Sequence, residues 1–217
     1  MSENHEQSYI ITLGETVFNL MALNVLWVLC TLPVVTIGAS STAMNYTCIK
    51  LRKDEGEGLI HSFFSSLKLN FKQALLMGTA MVAVLIVIVA CLIQATGMIV
   101  AESSGGLPLF LLCVVLLYVW FILFAYLFFL QARFDNPIKR TVVNAVYFIL
   151  TDFPTALKVG FIELFLLFVL PVFLWLFFPY GIPLVVFMGV PLTAYILSGI
   201  FNRIFEDYIE EPSEEFE

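Results

Sequence analysis

TLPVVTIGASSTAMNYTCIKLRK, residues 31–53, decides how the whole chain is threaded. The stretch leaves an apolar run, passes Pro33 and Gly38, turns into small and hydroxylated residues, and ends on Lys50, Arg52 and Lys53. As a surface segment it would lie along a membrane; as a helix it would be a second crossing.

The surrounding sequence makes a membrane the relevant solvent. Of the 217 residues 61% are apolar and 12% charged, with a mean hydropathy of +0.99. Soluble domains carry about a quarter charged residues. Residues 74–100, 109–132, 156–178 and 182–204 each supply the roughly 20 apolar positions that cross about 30 Å of hydrocarbon as a helix. Period-2 alternation of the barrel kind is absent, so the expected class is all-α, a polytopic helical membrane protein in a lipid bilayer. The formal charge of −7 is local: seven of the 17 acids fall in 206–217, leaving ten against ten bases. We therefore expect a single transmembrane domain over 1–205 and a solvated acidic cytoplasmic tail over 206–217.

The ten bases cluster at Lys50–Lys72, at Arg133–Arg140, at Lys158 and at Arg203, whereas AESSGGLP (101–108) and PYGIP (179–183) contain none. The positive-inside rule puts the basic segments and the C-terminus in the cytoplasm and the two Gly/Pro turns outside. The N-terminus has no Lys or Arg before its apolar run, so a cleaved signal peptide is not expected. It threads in two ways. With one crossing near 17–37, the N-terminus is external and the chain has five spans. With 9–32 going out and 36–52 returning, there are six, and the N-terminus is cytoplasmic.

Two features favour six. Residues 36–52 would extend about 25 Å as a helix, and Gly38, Ser41, Thr42, Asn45 and Cys48 recur at helical spacing as a stripe that lets helices approach closely in lipid. There is also a weak internal repeat. NFKQALLMG (70–78) and DFPTALKVG (152–160) share FxxALxxG at the start of a span. Each follows an amphipathic stretch, near 60–71 and 138–149, which reads as a cytoplasmic linker. Three hairpins joined by two such linkers result.

Asn24-Val25-Leu26-Trp27, Leu32 through Ser40 with Ala43, Phe63-Phe64, Asn70 through Ala74 and Arg133-Phe134-Asp135 together resemble the YesL-like family of bacterial integral membrane proteins. That family has no established biochemical activity. Its genes commonly neighbour carbohydrate uptake systems, so the resemblance implies an accessory or scaffold role beside ABC-type importer subunits in the bacterial cytoplasmic membrane. Self-association is a further expectation, and no nucleic-acid partner is expected.

Little in the chain suggests catalysis. Cys30, Cys48, Cys91 and Cys113 lack CxxC or His companions and read as small apolar residues, and His5 and His61 stand alone, so neither a metal nor a cofactor is expected. No phosphate-binding glycine loop is present. Glu163 is the one acid well inside a confident span, which makes it a candidate for function or for a buried partner. Glu15 and Asn19, on one face with Thr12, could meet the polar stripe of the second helix, and Asn24 invites the same reading. The alternatives to an accessory role are an independent small transporter or channel lined by Glu15, Asn19, Asn45 and Glu163, and a membrane sensor or regulator signalling through the tail.

Overall fold

The computed structural model describes the backbone of residues 2–54, 58–177 and 182–210, with side chains for 12–54, 58–176 and 188–206. Among these residues every regular element is helical. Helix α1 (Ser2–Thr31) reverses through Leu32, Pro33 and a short 3-10 turn at Val34–Thr36 into α2 (Ile37–Lys53). The Thr36 hydroxyl donates to the Cys30 carbonyl across that turn, satisfying an acceptor that the end of α1 would otherwise leave open. There follow α3 (Leu59–Val100), α4 (Gly106–Arg133), α5 (Ile138–Thr151) and α6 (Phe153–Leu164). A π-helical turn at Phe165–Val169 leads into α7 (Leu170–Phe177), and α8 (Ile182–Glu210) completes the bundle.

Polarity is distributed opposite to that of a water-soluble bundle. Phe18, Leu69, Ile86, Val100, Phe161 and Trp175 are exposed, while Ser40, Thr42, Ser62, Gln131 and Ser198 are buried. Apolar surface of this extent is stable against hydrocarbon and not against water. Four helical stretches are long and apolar enough to cross a bilayer, Thr12–Thr31, Leu59–Val100, Gly106–Arg133 and Phe153–Leu176, and each buries only about a fifth of its most apolar window. The chain is thus consistent with a membrane protein.

Against the expected six crossings, four helices among the described residues meet both criteria. Helix α2 has 17 residues and consists largely of small and hydroxylated side chains, so it lacks the length and apolarity of a lipid-facing span. It is instead the most enclosed helix: Gly38 through Asn45, then Thr47, Cys48 and Ile49, are all buried. Helix α8 falls on the expected 182–204 span, but the side chains of its first six residues lie outside the described residues. Most of the expected outer turn at 179–183, and residues 211–217 of the tail, lie outside the described residues.

The first linker also differs from expectation. Residues 60–71 are not a separate element but the opening turns of α3, whose 42 residues extend about 63 Å. The second linker is the separate helix α5. The repeat itself explains the difference: where the first copy has Lys72, the second has Pro154. A proline disfavours helical backbone in the residue before it and suits the first turn of a new helix. Asp152 caps that start, its Oδ1 accepting from the Thr155 amide at 3.2 Å.

Three polar connections tie the helices to one another. Arg52 donates from Nε to Ser198 Oγ (3.1 Å) and from Nη2 to the Tyr195 carbonyl (2.7 Å), with its guanidinium 4.4 Å from the Tyr195 ring centre. Lys53 Nζ pairs with Glu206 Oε1 at 2.7 Å. Gln131 Nε2 donates to Asn70 Oδ1 (3.1 Å) and Thr141 Oγ1 to Gln131 Oε1 (3.3 Å), which ties α3, α4 and α5 through buried side chains.

Candidate functional site

Two close helix contacts place the inward face of the bundle. Gly38 of α2 lies against Gly78 of α3: a Cβ built on Gly38 would stand 2.2 Å from the Ala74 carbonyl oxygen and 2.7 Å from Gly78 Cα. The second copy of the repeat makes the corresponding contact, Gly160 of α6 against α4, where a Cβ would meet Ile122 Cγ1 at 2.6 Å. Ala74 and Ala156 are both fully buried. In each copy of ALxxG the small residues therefore mark a face packed closely on a neighbouring helix.

In α6 this fixes where the acid goes. Ala156, Gly160 and Glu163 follow one another at i, i+4 and i+7, so packing the alanine and glycine on α4 turns Glu163 inward with them. Its side chain is 7% exposed, and its Oε2 has no hydrogen-bond partner among the described residues. The helix widens into the π turn two residues later. Pro171 supplies a cause, since it lacks an N–H and its ring crowds the carbonyl four residues back, at Leu167 inside that turn. π turns of this kind are frequent at functional sites.

Glu163 borders a cavity of about 190 Å³ lined by residues of α1, α2, α4, α6, the π turn and α8. Ser41 and Asn45 of α2 and Thr193 of α8 add polar groups; Trp27, Trp120, Phe121, Phe124 and Phe129 form much of the wall. Several of these groups are held in place. Trp27 Nε1 donates to Ser41 Oγ at 3.3 Å, Trp120 Nε1 donates to the Met81 carbonyl at 2.9 Å, and Thr193 Oγ1 donates to the Gly189 carbonyl at 2.9 Å. Trp120 stacks on Phe124 with ring centres 5.0 Å apart. No basic side chain lines the cavity.

Of the residues singled out from the sequence, the structure brings Ser41, Asn45 and Glu163 to this one cavity. Gly38 makes the α2–α3 crossing, and Thr42 is buried with its hydroxyl donating to the Gly38 carbonyl at 2.9 Å. Asn24 is buried in α1. Glu15 is exposed on α1. Asn19 lies by a different cavity, of about 250 Å³, with Thr47, Lys50, Asp54 and Ser62. Sequence reasoning missed Trp120, Phe124 and Thr193 as neighbours of Glu163, since nothing in their spacing ties them to α6. The inward direction of Glu163 was legible in its offset from the ALxxG motif. Among the described residues no group of His, Cys, Asp and Glu is placed to hold a metal ion, and the four cysteines are free.

A family model described as a protein of unknown function, DUF624, matches residues 20–91, a third of the chain. The matched stretch runs from the second half of α1 into α3 and includes both glycines of the crossing. No curated protein and no solved structure matches the chain.

Proposed function

We propose that this chain is a YesL-like, non-enzymatic component of the bacterial cytoplasmic membrane, acting as an accessory or scaffold beside ABC-type carbohydrate importers. The observation that carries the docking part is the first four turns of α3 together with α5. They carry Lys68, Lys72, Lys139 and Arg140 as exposed bases, a surface suited to a partner's cytoplasmic domain. The carbohydrate link rests on the family resemblance alone, which is an association and not a mechanism. Purification at native expression in mild detergent is expected to recover transporter subunits with the protein. Recovery of this chain alone refutes the reading.

The accompanying topology has six crossings, with α2 and α8 completing three hairpins and both termini cytoplasmic. What supports it is the break after Pro33, where a short 3-10 turn separates α2 from α1. In a background without the native cysteines, Ser104→Cys is expected to label from outside and Ser2→Cys is not. External labelling of both would refute it.

A second reading, a small independent transporter, is favoured by the buried Glu163 carboxyl beside a cavity between helices. Unchanged substrate uptake and growth in Glu163→Gln would remove it.

A further inference from the structure

The chemistry of the Glu163 cavity discriminates between classes of ligand. A buried sugar needs a partner for each hydroxyl. The wall offers four polar side chains, and two of their hydroxyls are engaged, Ser41 accepting from Trp27 and Thr193 donating to its own helix. A metal or alkali ion needs a shell of several oxygens, which this largely carbon-lined space does not supply. One carboxyl is the cavity's sole ionisable group, and it faces rings of Trp and Phe with no basic side chain beside it. A buried carboxylate without a counter-charge is costly. A cation with an apolar skin answers both features, because it neutralises the acid while its carbon surface packs against rings whose π-electrons attract positive charge.

We propose that the cavity between α2, α4, α6 and α8 is a binding site for a small alkylammonium cation, with Glu163 as counter-ion and Trp27, Trp120 and Phe124 as its aromatic wall. The volume of about 190 Å³ lies below the usual range of about 300–1,000 Å³ for larger organic ligands, which restricts the guest to an ammonium bearing a few carbons. Trp120 is pinned by the Met81 carbonyl and Trp27 by Ser41, so the aromatic wall is preorganised. Leu167 of the π turn lines the same cavity as Glu163 and adds carbon to its wall.

The test uses the full chain in an uncharged detergent, titrated with tetramethylammonium chloride and followed by tryptophan emission, with sodium chloride at equal ionic strength and glucose as comparisons. A saturable change is expected with tetramethylammonium alone, together with a rise in melting temperature that grows with its concentration. Glu163→Gln is expected to weaken binding at least tenfold, Glu163→Asp less, and Phe124→Leu several-fold with the carboxyl still present. No saturable response in the wild-type protein, an equal affinity in Glu163→Gln, or saturable glucose binding displaced by tetramethylammonium would each overturn the proposal. The wild-type titration decides even if a variant fails to accumulate. Transport is not read in this assay, so binding without uptake leaves the site standing and removes only the carrier reading.

Discussion

Replacing Gly38 by alanine tests the packing on which the interior depends. The added Cβ would be 2.2 Å from the Ala74 carbonyl oxygen, 2.7 Å from Gly78 Cα and 2.9 Å from Phe128 Cε1. The first two are backbone atoms and cannot swing aside, so α2 and α3 must part by about 1 Å to restore ordinary contact. Overpacking of this kind costs about 1–3 kcal/mol, and alanine's better helix propensity returns up to about 1 kcal/mol. A net loss of about 2 kcal/mol corresponds to a melting temperature about 4–8 °C lower in a chain of this size. Gly97→Ala, also in α3 but with nothing within 4 Å of the new Cβ, supplies the comparison and is expected to melt at or above the wild-type temperature. Melting in one detergent, followed by tryptophan emission, reads both. If Gly38→Ala melts together with Gly97→Ala, the glycine crossing is not what seats α2, and the placement of Ser41 and Asn45 loses its physical basis.

Gln131→Leu removes the donor to the buried Asn70 Oδ1 and leaves Thr141 Oγ1 only the Pro137 carbonyl; a loss of about 1–3 kcal/mol is expected, with faster trypsin cleavage at Lys139 and Arg140 as α5 loosens. Arg52→Lys cannot reproduce both hydrogen bonds and the stacking on Tyr195, and about 1 kcal/mol is expected to be lost in melting measurements. The hydrogen bond and charge of Lys53 hold the Glu206 carboxyl below its ordinary range. The pair's contribution is therefore present above the ordinary carboxylate pKa and fades as pH falls through the lowered value. Lys53→Gln should flatten that part of the acid dependence of melting, and an unchanged profile would count against the pair.

Composition and patterning pointed to an all-helical chain of membrane-protein character, and the spacing of Gly38, Ser41, Thr42 and Asn45 pointed to a helix over 36–52 with a close-packing face. Those properties are local: apolar length sets what can face hydrocarbon, and helical period sets which residues share a side. Tertiary structure decided the rest. The polar run of α2 became the buried axis of the bundle because neighbouring apolar helices cover it, a role its own hydropathy disguises. A proline in one copy of the repeat and a lysine in the other made one linker a separate helix and the other the start of α3. Glu163 acquired an aromatic cavity because Trp120, Phe124 and Thr193 arrive from helices distant in sequence, brought there by the packing of Gly160 on Ile122 and of Gly38 on Gly78. The opening stretch carries its own helix, but which surfaces that helix joins is a property of the partners that enclose it.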